Sequence, residues 1–277
     1  MKKGILIAII VASALVITGG TVLGIGIANT DFSAQLIKKE YDLAPWSDME
    51  IEVDTADFDL VASKENTYKV IVEEREKEYY TVNVENNKLI IESIDTRKWY
   101  ENIFELNFQR MKVTILAPAG TFGDAQFTAS TGSIHIPSDF SFQTLGIRCS
   151  TGYINIDIKA KESVTIEAST GNIDAKVASE DLMVYATTGK ITLRDSVLTR
   201  NIEARASTGR VTLNDCDARF LNLETTTGSI NATLLSPKEF DIITSTGKVN
   251  VPPSVEGSGI CRAKTSTGNI NISIKGS

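Results

Sequence analysis

The sequence predicts an all-β chain: a single-stranded β-solenoid, or β-helix, of about eight regular coils with an irregular N-terminal β cap, preceded by one transmembrane helix. Three observations predict it. The tripeptide Ser/Thr-Thr-Gly recurs eight times at intervals of 18 to 21 residues, apolar and polar residues alternate around it, and Gly4 to Thr30 carries no charge. A fixed period of this size marks a stacked repeat architecture.

The glycines of the repeat are Gly132, Gly152, Gly171, Gly189, Gly209, Gly228, Gly247 and Gly268. Two positions after each comes Ile or Val: Ile134, Ile154, Ile173, Ile191, Val211, Ile230, Val249 and Ile270. Seven and five positions before the glycine lie mostly apolar residues, such as Leu221 and Leu223, and three before lies a small one, such as Ala186 or Thr225. Such period-2 alternation is a half-buried strand, not a helix. After the glycine the inward residues fall at even offsets, as in Ile154 and Ile156, so the parity breaks at the tripeptide. The break reads as a corner, and glycine suits it because φ > 0 brings no Cβ clash. The twelve residues around each corner keep one length, while the connectors vary between six and nine residues. Fixed corners with one variable edge fit a solenoid, whose insertions go outward; an up-and-down sandwich offers no reason for them. Coils rising by ~4.8 Å would build a rod of about 35–40 Å.

The chain divides into a cytoplasmic N-terminus (1–3), a transmembrane signal anchor (4–28), a linker (29–48), an irregular β cap (49–124) and the regular repeats (125–277). About 20 apolar residues span a bilayer, and Lys2 and Lys3 ahead of the run place everything after it outside the cell. A cleaved signal peptide, with Gly26-Ile27-Ala28 as a poor cleavage site, is the rival. Gly19, Gly20, Gly24 and Gly26 are ordinary in a membrane helix and also suit packing against another. The linker reads as polar, briefly helical around Ala34 to Tyr41. In the cap, Asp54-Thr55-Ala56-Asp57-Phe58 resembles the corner with Ala in place of Gly. Strands are expected at Tyr68–Glu74, Tyr79–Val84, Leu89–Ser93 and Met111–Leu116, with Glu85-Asn86-Asn87-Lys88 as a hairpin turn. Between the last two lie Trp99, Tyr100, Phe104 and Phe108, read either as a flap over the core or as an exposed patch for a partner. Asn269 to Ile274 reads as a last strand with a bare edge, which makes end-to-end self-association an expectation.

Residues 31–124 hold 20 acids and 11 bases, while residues 125–277 hold 15 of each. A neutral repeat surface beside an acidic cap makes nucleic acid and anionic lipid poor partners. Cys149, Cys216 and Cys261 occupy different columns several coils apart, beyond the ~7 Å Cα reach of a bridge. No phosphate loop, zinc spacing or nucleophile elbow occurs. The one histidine, His135, shares an outward offset with Asn155, Asp174 and Asn231, a polar surface slot. A hydroxyl ladder along the corners could bind ice, calcium or sugar, but Ser-Thr at a corner more often hydrogen-bonds its own backbone, and the structural role is the reading favoured. Calcium repeats need regularly placed aspartates, and none recur. Asp174, Asp195, Asp215 and Asp217 form no cluster with arginines of the kind a polysaccharide lyase would want. No catalytic, cofactor or metal residue is therefore assigned, and the chain reads as a non-enzyme.

The recurrent S/T-T-G-x-I/V, following Met111-Lys-Val-Thr-Ile-Leu-Ala-Pro-Ala-Gly120, resembles the DUF4097 family of putative adhesins over residues 49–277. The resemblance implies a β-strand solenoid and a place in the bacterial cell envelope, where several members accompany envelope-stress systems. The expected function is binding, adhesion or scaffolding by a membrane-anchored extracellular domain in a Gram-positive-type bacterium, with protein or cell-wall glycan as partner. The alternatives are an accessory of a stress-signalling system touching a membrane sensor, and a glycan-active β-helix enzyme.

Overall fold

The computed structural model describes residues 36–98 and 109–276. The transmembrane helix expected over 4–28 and the aromatics Trp99, Tyr100, Phe104 and Phe108 lie outside the described residues. Among the described residues no helix is long and apolar enough to cross a membrane. The strands are β1 (Ile37–Asp42), β2 (Asp48–Ala62), β3 (Lys69–Glu74), β4 (Glu78–Glu85), β5 (Lys88–Asp95), β6 (Met111–Ala117), β7 (Gly120–Ile136) and β8 (Phe140–Ala178). They continue as β9 (Asp181–Thr188), β10 (Ile191–Arg194), β11 (Asn201–Thr208), β12 (Val211–Cys216), β13 (Phe220–Thr227) and β14 (Ile230–Leu234). The last four are β15 (Glu239–Thr246), β16 (Val249–Asn250), β17 (Ile260–Thr267) and β18 (Ile270–Ile274).

Equivalent positions of successive repeats pair in parallel and in register. Leu182, Ile202 and Leu221 are neighbours on the first face, which precedes the glycine. Ile191, Val211 and Ile230 are neighbours on the second face, which follows it. The inward columns of both faces are buried: Val184, Ala204, Leu223, Ile173 and Ile191 are each 0% exposed. Each buried Ile or Leu contributes roughly 1.5–3 kcal/mol, and the β pairing keeps every such residue on the same side.

The corner carries two separate demands for glycine. Seven of the eight have φ between +141° and +154°. A Cβ on any of the eight would also stand 1.7–1.9 Å from a backbone carbonyl oxygen of the coil beneath. For Gly132 that oxygen belongs to Ala56, the corner that lacks glycine. Ala56 itself pairs with Met111, where β6 begins as a strand separate from β5, which ends at Asp95. Among the described residues no tripeptide corner lies under Ala56 to demand a glycine there. The Ser-Thr pair of each corner is exposed. The hydroxyls that bond backbone sit one step inward: Thr225, Thr265 and Thr244 donate to the carbonyls of Gly209, Gly228 and Gly268 at 3.0, 3.0 and 3.2 Å.

Those last bonds expose an exception to sequential stacking. β17 lies between β13 and β15, so that Leu221, Cys261 and Phe240 are successive neighbours. Likewise β18 lies between β14 and β16. The edge expected at Asn269–Ile274 is thus covered at Ile270 and Asn271 by Val249 and Asn250, and the outermost coil is the preceding one. The crossover is pinned at Lys238, buried with its ammonium 2.6 Å from Asp217 and 2.8 Å from Ser236. A buried lysine needs such partners. Gly259, at φ +102°, then lies so close to the Arg219 carbonyl that a Cβ would stand 2.7 Å from it. Ile260 N–H donates to that same carbonyl at 3.0 Å, which starts β17 beside β13.

At the other end, β5 and β6 lie parallel beneath the two halves of β2. Antiparallel strands cover them, β4 on β5 and β3 on β6, with β1 outside β3. Asn86 and Asn87 turn the β4–β5 hairpin at φ 50° and 65°, the paired positive values of a type I′ turn. The brief helix expected around Ala34 to Tyr41 is, over the described part from Ile37 on, instead β1. Its backbone completes an exposed edge, Lys39 pairs with the buried Glu74, and Lys69 reaches Glu40 and Asp42 at 3.3 and 3.2 Å. Strand addition satisfies its backbone groups, which outweighs a weak helical propensity.

Cys149, Cys216 and Cys261 are free and buried. Burial pushes the Cys216 thiol up to about 11 and the Cys261 thiol up to about 12. A folded value raised above the unfolded one means stability is intact below the unfolded pKa near 9.0 and is lost as pH rises through the folded values. The three thiols are expected to be silent to Ellman's reagent at pH 8 and to react fully in denaturant, and urea midpoints are expected to fall progressively from about pH 9 upward. Gly189→Ala is expected to cost about 3 kcal/mol through the backbone clash. Gly146→Ala, which meets only the mobile end of Gln126, is expected to cost less than about 1 kcal/mol; urea midpoints compare the two. In the paired variants Asn222→Cys/Arg262→Cys and Asn222→Cys/Asp241→Cys, oxidation is expected to close an intramolecular disulfide in the first alone. Only adjacent strands bring Cα atoms within the ~7 Å limit.

Candidate ligand-binding face

With offsets seven, five and three before the glycine turned inward, offsets eight, six and four before it face outward on the first face. Stacking turns each offset into a column of side chains repeating at ~4.8 Å. In spatial order the column four before the glycine reads Arg148, Glu167, Tyr185, Arg205, Glu224, Lys264 and Ile243. Arg148 meets Glu167 at 2.9 Å, Arg205 meets Glu203 at 2.9 Å and Glu224 at 3.8 Å, and Lys264 meets Glu224 at 3.5 Å. The Tyr185 hydroxyl donates to Glu203 at 2.7 Å, and partial burial, then that carboxylate, raises its pKa. Lys264 reaches Glu224 only because β17 lies directly on β13.

Beside this ladder runs a groove of about 610 Å³ whose floor and walls come from five coils. Met183, Phe220 and Ile260 supply its apolar surface, and Phe220 is 41% exposed with the Arg219 guanidinium 5.4 Å from its ring centre. Its polar groups include Arg200, paired with Glu180 at 3.1 Å and also with Asp181, and Asn201, which donates to Asp181 at 2.6 Å. Arg262 lines the far end and meets Asp241 at 3.4 Å. A second hollow of about 520 Å³ follows the Arg/Glu column toward the corners. These ion pairs are solvent-exposed and worth only about 0–1 kcal/mol each, so a ligand exchanges them for its own hydrogen bonds at little cost. The arrangement is a regular array of donors, acceptors and an apolar strip, able to hold an extended chain.

The glycines Gly132 to Gly268 come together as one column, but as packing elements rather than ligand contacts. His135 is exposed between Asp59 and Asn155. Asp174 pairs with Arg194 and receives the Tyr153 hydroxyl at 3.4 Å, Asp215 pairs with Lys275 at 2.7 Å, and Asp217 holds Lys238. Asp174, Asp215 and Asp217 therefore serve separate local pairs. Among the described residues no three His, Cys, Asp or Glu side chains are grouped to hold a metal ion. Arg200, Met183, Phe220 and Arg262 are the groove residues that reading along the chain passes over. Reading the outward columns across the repeats is the signal that finds them.

The family model of Toastrack DUF4097 matches residues 46–277. None of the curated proteins matches the chain. Among solved structures, a putative lipid-binding protein from Parabacteroides distasonis ATCC 8503 is similar at 16% identity, over 87% of this chain and 96% of its own, with a TM-score of 0.50. A putative adhesin from Bacteroides fragilis NCTC 9343 is similar at 16% identity, over 86% of this chain and 97% of its own, with a TM-score of 0.47. At such identity a structural likeness speaks to the fold alone. The all-β stack of glycine-cornered coils and the match across residues 46–277 lead to one conclusion: the chain belongs to the Toastrack DUF4097 family.

Proposed function

We propose that this chain is a non-enzymatic binding element of the bacterial cell envelope, anchored through residues 4–28, with its β stack outside the membrane and the outer surface of the first face as its ligand surface. The observation that carries the reading is the groove across five coils, with exposed Phe220 between Arg200 and Arg262 and exchangeable ion pairs alongside. Concave faces of stacked repeats serve extended partners because identical contacts recur with each coil. The near-neutral ladder favours an uncharged or zwitterionic polymer, such as wall glycan or an extended protein segment, over nucleic acid. The uncharged run Gly4–Thr30 behind Lys2 and Lys3 supports the anchor. The adhesin description attached to the family agrees with a binding role.

The test is photo-crosslinking of the full chain in intact cells from a probe at Asn222, alongside capture by membrane and wall fractions. Capture of wall glycan or of a surface protein is expected, and Arg200→Ala/Phe220→Ala is expected to lower retention at least about tenfold, as loss of central contacts does. Exclusive crosslinking to a membrane sensor would favour the signalling accessory instead. Release of reducing sugar from a wall polymer would favour the glycan-active enzyme.

A further inference from the structure

The two ends of the stack are finished in different ways. At the β1/β4 end, antiparallel strands close the core, and β1 carries Lys38, Lys39, Glu40 and Asp42 along its outer edge. Charges on an edge strand are the usual guard against pairing with another chain. At the opposite end β15 pairs only with β17 among the described strands. Its inward residues Phe240 and Ile242 are only partly buried, whereas their neighbours in the coil beneath, Cys261 and Ala263, are 0% and 1% exposed. Outward Ile243 is 53% exposed, and Val249, whose column is buried in the coils beneath as at Ile270 (0%), is 47% exposed. The backbone is open as well. Glu239 N–H points inward to Gly259 O, while Phe240 N–H turns the other way to Ser254 Oγ. By strand alternation the N–H groups of Ile242 and Thr244 share that outward direction.

We propose that this edge is a homodimer interface, in which β15 of one copy pairs antiparallel with β15 of a second copy about a twofold axis. The charge pattern selects that partner. Glu239 and Asp241 stand at the start of the edge and Lys248 just past its end, so antiparallel pairing sets the acids of each copy near the lysine of the other. The connector to β17 also covers the edge at Phe240 through Ser254, which leaves the stretch around Thr244 as the centre of contact. A twofold contact of this type closes on itself. Head-to-tail stacking would instead press the open core against the charged β1 edge and leave one end bare. The proposal is independent of what the first face binds.

The full chain in a non-ionic detergent is expected to sediment as a concentration-dependent dimer. Ile243→Lys/Val249→Lys, which changes exposed side chains on the open coil, is expected to weaken dimerisation at least about tenfold. Ile37→Lys at the opposite end is expected to leave it intact. A second measurement separates the contact from folding effects and from association through residues 4–28. With the native thiols buried, a short bis-maleimide is expected to link Ile243→Cys to Ile243→Cys in cells, and not Ile37→Cys to Ile37→Cys. A monomer across the concentration range, a dimer indifferent to Ile243→Lys/Val249→Lys, or crosslinks formed only between Ile37→Cys and Ile243→Cys in mixed expression would each overturn the proposal.

Discussion

Backbone meets backbone at every corner of this stack, and the rest of the molecule is arranged around that contact. A glycine Cα sits over the carbonyl oxygen of the corner below at a distance no Cβ would survive. Contacts of the Cα–H···O type are individually weak, about 0.5–1 kcal/mol. Their effect here is mainly geometric, because they hold the rise of each coil at the spacing of hydrogen-bonded strands. With the rise fixed, apolar residues before and after the corner superimpose as continuous columns, and Thr225, Thr244 and Thr265 fall within reach of a neighbouring glycine carbonyl. The connectors are released from that constraint, which is why they alone vary in length.

The same register produces the outer surface. Arg148 and Glu167, or Arg205 and Glu224, are about twenty residues apart in the chain yet meet as neighbours. No local segment contains the groove beside them; it exists only as a property of stacked coils. Its ion pairs add little to stability. They keep a dense array of charged groups electrically balanced while leaving each one available. The rigidity of this surface comes from the buried columns behind it.

The last two coils show where periodicity stops deciding the structure. Every repeat is compatible with every other, since all present the same glycine, the same inward columns and the same strand length. Order among them therefore depends on the connectors. Lys238 is buried against Asp217 and Ser236, and Gly259 accepts a carbonyl where a side chain would clash; together they send β17 into the slot beside β13. The outcome moves the open edge from β17 and β18 to β15 and β16 and brings Lys264 beside Glu224.

By itself the sequence determined the corners, the alternation and the cap strands β3 to β6, because each depends on residues close in the chain: a glycine at a φ only it readily adopts, a two-residue side-chain period, an Asn-Asn turn. It also carried the family resemblance, through a motif whose spacing survives in every copy. Only the tertiary structure decided the rank of the final coils, the strand character of Ile37–Asp42 and the groove past Phe220. Those features depend on which distant backbone or side chain arrives alongside: Val72 and Glu74 for β1, Asp217 for Lys238, and four other coils for the groove. A repeat that fits equally well in any slot cannot state its own position, so that information resides in contacts between segments that the linear order keeps apart.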